Sequence, residues 1–263
     1  MTVLVGGEMS DTFSVSDKVV VITGAGQGIG RSFAKTFASR GARVVIAERN
    51  MDKARAVRDE IAAGNGHAIV IETDVADESS VKHLGASVDQ AFGRADVLIN
   101  NAAIFSTLEM RPFDQIPLAE WEQVLRVNLT GPFLCARAML PLMRKNKWGR
   151  IINMASGAVT LGRPNYLHYI ASKAALAGMT HSMARELGPD GITVNAVLPG
   201  ATYTEIPRKT VTPEQKERII AMQSIPRSQV PDDLIGVVMF LASDASAFMT
   251  GQELTVDGGA THP

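Results

Sequence analysis

A tyrosine and a lysine four positions apart, in Tyr169-Ile170-Ala171-Ser172-Lys173, are the residues of this chain best suited to moving a proton. In a helix they lie one turn apart on one face. A phenol titrates near ~10 and carries protons poorly at neutral pH, but an adjacent ammonium favours the phenolate and lowers that value. Such a tyrosine suits an alcohol oxygen, from which it takes a proton or to which it returns one. Ser156 stands upstream, and a glycine-rich turn from Thr23 to Gly30 lies near the start. Alone, the Tyr-Lys pair is equally a surface helix contact. It gains meaning from what the fold places beside it.

A scaffold for these groups is available. The chain has 263 residues, 46% of them hydrophobic, and a net charge of -1, which fits one large core in an ordinary globular protein. Without a basic excess no nucleic-acid partner is expected. No apolar run reaches membrane-spanning length, and the first residues, MTVLVGGEMSDTFS, lack the basic-then-apolar order of a secretion signal. Residues 1–16 read as a loose tail and 17–263 as a single catalytic domain. The single cysteine, Cys135, sits in an apolar helical context and reads as a buried structural thiol, consistent with a reducing cytoplasm.

Short β-branched runs alternate with helical patterns along the whole chain. Residues 18–23 predict a strand and 31–40 a helix ending at Gly41. The alternation continues with strands at 43–47, 68–72, 97–100, 150–153, 192–197 and 253–256. Helical segments fall at 51–63, 79–92, 118–145, 166–187 and 232–242. The strands are continuous apolar runs, as in a parallel sheet covered on both faces. The expected fold is α/β, a single doubly wound Rossmann-type domain of about seven parallel strands with helices on both faces.

The glycines follow the first strand as G-x-x-x-G-x-G, at Gly24, Gly28 and Gly30, where backbone N–H groups and a helix dipole favour a phosphate. A tight turn needing positive φ is the plain alternative. Glu48 ends the second strand roughly 20 residues on, where a carboxylate can bind adenosine ribose hydroxyls and repel a 2′-phosphate. Gln27 puts no cation inside the turn, which favours NAD over NADP. Arg49 is either a solvated charge or a phosphate partner. Asp74, followed by Val75, is either an acceptor for the adenine amino group or an N-terminal residue of the next helix.

With these residues assembled, the chain resembles the short-chain dehydrogenase/reductase family from Asp17 to Gly259. The motifs that carry the resemblance are Thr23 to Gly30, Asp74-Val75, Asn100-Asn101-Ala102-Ala103, Asn128, Ser156, Tyr169 with Lys173, Pro199-Gly200 and Thr204. Ala103 departs from the glycine usual there. The resemblance implies that Tyr169 is the general acid/base and that Ser156 hydrogen-bonds the substrate oxygen. Lys173 would lower the tyrosine pKa and bind the nicotinamide ribose, and Asn128 would position a water between that lysine and solvent. The implied cofactor set also takes in Ile29 and Thr202. Gly28 to Gly30 would meet the pyrophosphate, Asn101 would pack beside the adenosine, and Thr204 would hold the carboxamide. As plain alternatives, Ser156 is a turn serine, Asn128 a helix amide bonded to backbone, and Thr204 a helix N-cap.

The implied reaction is hydride transfer between NAD(H) and a secondary alcohol or ketone, with no metal. Substrate choice is expected from 104–108, 158–166 and the stretch 202–227. That stretch reads as a flap in which Ile219, Ile220 and Met222 close over an uncharged, hydrophobic ligand. Arg163 is placed at the surface, with a pocket-facing guanidinium that binds a carboxylate or phosphate as the alternative, and His168 is given a structural role. Segments such as Trp148 to Asn153 and Ile225 to Pro231 resemble the bacterial branch containing NAD-dependent 1-phenylethanol and pyridoxal 4-dehydrogenases. The alternatives are an NADP-dependent 3-oxoacyl-carrier-protein-type reductase and a nucleotide-binding protein without chemistry. Two long apolar helical segments and the last strand predict a homotetramer, as the resemblance also implies.

Overall fold

The structure, a computed structural model, describes residues 12–207 and 212–262. Seven strands form one sheet: β1 (Val19–Thr23), β2 (Arg43–Glu48), β3 (His67–Glu72), β4 (Val97–Asn100), β5 (Gly149–Met154), β6 (Ile192–Pro199) and β7 (Glu253–Val256). Their order is β3-β2-β1-β4-β5-β6-β7 and every pair is parallel. The helices are α1 (Gly28–Ser39), α2 (Met51–Ala63), α3 (Glu78–Phe92), α4 (Leu118–Leu125), α5 (Gly131–Asn146), α6 (Leu167–Leu187), α7 (Pro213–Ala221) and α8 (Asp232–Leu241).

Successive strand residues point to opposite faces, so an unbroken apolar run feeds two cores. Val20, Ile22, Val44 and Ile46 pack on one face with Phe33 and Phe37 of α1 and Leu234 and Val238 of α8. Val19, Val21, Val45 and Leu98 pack on the other with Leu84 of α3, Met139 of α5 and Leu187 of α6. Asp96, fully buried, accepts a hydrogen bond from the Val19 N–H at 2.7 Å and so locks the entry to β1 beside β4.

Three expectations change. First, α1 begins at Gly28 rather than 31, because glycines at its first and third positions disguise a helical turn that the fold supplies. Second, the segment 118–145 is interrupted by a π-turn over Arg126–Thr130. Pro132 has no N–H to give the Asn128 carbonyl, and the Gly131 N–H reaches back to the Arg126 carbonyl instead. Third, the tail expected at 1–16 is tied down where it is described: Val15 is buried in the core, and the Thr12 carbonyl accepts from the Ala245 N–H. The rest of that tail, residues 1–11, lies outside the described residues, as do positions 208–211 of the flap.

Candidate active site

From the middle of the sheet, β1 leads on to β2 in one direction and β4 to β5 in the other, so a crevice opens between the carboxyl ends of β1 and β4. It holds a cavity of about 820 Å³. Of the residues predicted for catalysis and cofactor binding, all but Gly28, Gly30 and Asn128 line it.

The glycine turn is held from below. Thr23 Oγ1 accepts from the N–H groups of Asn101 and Ala102, both at 3.0 Å, while Asn101 Nδ2 donates to the carbonyls of Thr23 and Gly24. The Asn101 amide is therefore a clip on the turn, and the residue also lines the cavity. Gly24 has φ +65°, and a Cβ there would lie 2.9 Å from the Ala102 Cα. A Cβ on Gly30 would strike the Gly24 carbonyl and Asn101, so Gly30 serves close packing behind the turn and does not reach the cavity. Gly28 opens α1, and its N–H donates to Glu205 Oε1 at 2.8 Å, with Ile206 folded over it. Glu205 was missed, since a carboxylate 177 residues away from its partner has no local pattern.

At the far end of the cavity, Glu48 Oε2 accepts from the Gly26 N–H at 3.1 Å and Oε1 from the Asn50 N–H at 2.9 Å, which fixes the carboxylate at the tip of β2. Arg49 is largely exposed and lies 3.9 Å from Asp74. Asp74 accepts from the Ala76 N–H, and the residue capping α3 is Asp77, so Asp74 is not the helix cap. Gln27 brings a further correction: Lys53 of α2 donates to its side-chain oxygen, so a cation does reach the turn. The lysine lies 26 positions on and was invisible to local reading.

At the other end, Tyr169 and Lys173 are both buried on α6, with Lys173 Nζ 6.0 Å from the centre of the tyrosine ring. Lys173 donates to the Met154 carbonyl at 2.6 Å, and burial pushes its ammonium from 10.5 down to about 8. Ser156 lines the same cavity and also accepts from the Ala158 N–H at 3.2 Å, so it is a turn serine as well. Asn128 is fully buried in the π-turn; its side chain exchanges hydrogen bonds with the Ile104 backbone and donates to Ser172 Oγ at 3.2 Å. That amide braces the loop after β4 against α6. Thr204 Oγ1 accepts from the Ile206 N–H in a local turn and caps no helix.

The Phe105 ring lies 4.6 Å from that of Tyr169 and 5.7 Å from that of Tyr166. Ile219 and Met222 line the cavity from α7 and the residues after it, but Ile220 does not. Arg163, expected at the surface, is partly buried and also lines the cavity. His168 is buried and pairs with Glu120 at 3.0 Å, the structural role expected of it. Cys135 is buried and its thiol is pushed up to about 12, which makes it inert.

Known proteins are similar to this chain in sequence and fold. The model of a family described as enoyl-(acyl carrier protein) reductase matches residues 24–261. A 3-oxoacyl-[acyl-carrier-protein] reductase from Synechocystis sp. is 39% identical over 249 residues, covering 94% of this chain and 98% of its own. A crystal structure of a putative NAD(P)-dependent gluconate 5-dehydrogenase from Beutenbergia cavernae, with NADP bound at low occupancy, superposes with a TM-score of 0.88 at 36% identity, covering 95% and 98%. A 7α-hydroxysteroid dehydrogenase complexed with NADH and 7-oxo glycochenodeoxycholic acid gives 0.90 at 34% identity, covering 95% and 96%.

Proposed function

This chain belongs to the short-chain dehydrogenase/reductase family, and we propose that it transfers a hydride between NAD(H) and a secondary alcohol or ketone with Tyr169 as general acid/base. The observation that supports this is the meeting of Tyr169, Ser156 and Lys173 with the glycine turn in one cavity. The turn suits a dinucleotide, because a carboxylate already occupies the Gly28 N–H at the start of α1, where a pyrophosphate would lie. Glu48 would hold the adenosine ribose, Asp74 the adenine, Lys173 the nicotinamide ribose and Thr204 the carboxamide. When bound, the nicotinamide supplies or accepts the hydride.

The chain's own residues handle the oxygen. Ser156 Oγ holds it, and the Tyr169 phenol gives it a proton during reduction or removes one during oxidation. The Lys173 charge favours the phenolate. The Asn128 carbonyl, denied a helical donor by Pro132, is assigned the water that joins Lys173 to solvent. Phe105, Met110 and Ile219 give the substrate an apolar and partly aromatic surround. NADP and a 3-oxoacyl-carrier-protein-type substrate form the second reading, favoured by Arg49 and Lys53 beside Glu48 and Gln27.

The test is absorbance at 340 nm with a panel of secondary alcohols and ketones, run with NAD and NADP in parallel. Turnover is expected with the higher kcat/KM for NAD, and Tyr169→Phe should lower kcat by about 10³-fold while dinucleotide binding persists. Full activity in that variant removes Tyr169 from the mechanism. A higher kcat/KM with NADP gives the second reading its cofactor.

A further inference from the structure

Charge at the substrate end of the cavity has no use in the chemistry above. Arg163, in the loop before α6, and Arg218, on α7, both line the cavity that holds Tyr169 and Ser156. Among the described residues neither has a carboxylate partner within ion-pair distance. Arg163 is held in place: its guanidinium lies 4.9 Å from the centre of the Tyr166 ring, and its backbone N–H donates to the Ala158 carbonyl. Tyr166 is almost wholly buried and touches Phe105, which in turn lies on Tyr169. A chain of ring contacts therefore links the guanidinium to the proposed acid/base.

Asp257 is the acid that lines this end of the cavity, and its carboxylate is already taken. It accepts from the N–H groups of Gly259, Ala260 and Thr261 and from the Thr261 hydroxyl. Glu48 and Asp74 also line the cavity, but at the adenosine end described above. The substrate end thus presents two guanidiniums, Arg163 partly buried and Arg218 exposed, that have no carboxylate partner among the described residues, and Arg offers a bidentate fork for an anion.

We infer that Arg163, with Arg218 at the rim, binds an anionic group, carboxylate or phosphate, at the end of the substrate remote from the reacting oxygen. Arg163 is thereby a specificity-determining residue of this site. The inference rests on the reading of Tyr169 as the acid/base of a ketone reductase. It departs from the expectation of an uncharged substrate: the ligand it describes has an apolar body joined to an anion.

The experiment compares matched ketones with NADH. 4-Acetylbenzoate is set against uncharged 4-methylacetophenone, and acetoacetyl-coenzyme A against acetoacetyl-N-acetylcysteamine. In at least one pair the anionic member should have a KM lower by about tenfold, and Arg163→Gln should erase that ratio while Arg163→Lys restores part of it. Preference in the first pair alone assigns the site to a carboxylate, and in the second alone to a phosphate. Equal KM values in both pairs, or a ratio that Arg163→Gln leaves intact, overturn the inference while the reductase reading stands. If no ketone is turned over, the reductase reading fails, and the anion site is judged by calorimetric titration of 4-acetylbenzoate. Binding lost in Arg163→Gln supports the site, and absence of binding to wild type overturns it.

Discussion

Lys173 combines a full charge with almost complete burial, and that combination sets a pH window. Its folded value of about 8 lies below the 10.5 of an exposed lysine, and burial is the cause. Between those values the unfolded chain binds more protons than the folded one, so stability rises with pH through the window. Below pH 8 both states carry the charge and the full cost of burial remains. Wild type should therefore gain on the order of 3 kcal/mol relative to Lys173→Met between pH 8 and 10.5, measured by urea unfolding. A flat difference would mean that burial does not set this charge. The same titration withdraws support for the Tyr169 phenolate above pH 8. Tyr169, Lys173 and Ser156 were legible because the first two sit one helical turn apart and all three belong to an ordered series of motifs. Lys53 was not. It matters only because α2 returns it to Gln27 in the glycine turn, and no spacing along the sequence records that. Arg163 was legible in part, as a guanidinium in a segment expected to select substrate, but its entry into the cavity is set by the fold.

Among the elements, the first turn of α1 and the segment after β6 oppose one another. Glu205 holds the Gly28 N–H, Ile206 covers it, and the Glu205 charge raises the pKa of Arg31 together with the stronger pull of Glu60. A pyrophosphate aimed at this turn meets a carboxylate already in place and must displace it. Glu205→Gln removes that charge, and dinucleotide binding should tighten by about fivefold in calorimetric titration, the worth of a charge at a helix N-terminus. An unchanged or weaker affinity would show that Glu205 braces the segment and does not compete with phosphate. Strands and most helices were legible as elements, because runs such as Val19 to Ile22 have a single stable use, between two helical layers. The break at Arg126–Thr130 was not, although Pro132 was in plain view. A proline in a first helical turn is ordinarily harmless, and it opens a π-turn here because helical residues precede it.

On the scale of the whole molecule, the described surface keeps large apolar groups that the two cores do not use. Phe113, 72% exposed, lies shortly before α4 and Leu118, 70% exposed, opens it, and Phe133 of α5 and Leu167 of α6 are about half exposed. Phe248 is fully exposed before β7. Scattered apolar residues need no explanation, but several on adjoining helices, with another beside the edge strand, fit two separate contacts between copies of the chain. Two independent twofold contacts close as a tetramer. Light scattering after size exclusion should give four times the 28.1 kDa chain mass. Phe133→Asp and Phe248→Asp should each lower it to the mass of a dimer, because each variant charges one contact and spares the other. A wild-type mass of one chain would leave these residues without a partner. A tetramer unaffected by either variant would put its interfaces elsewhere.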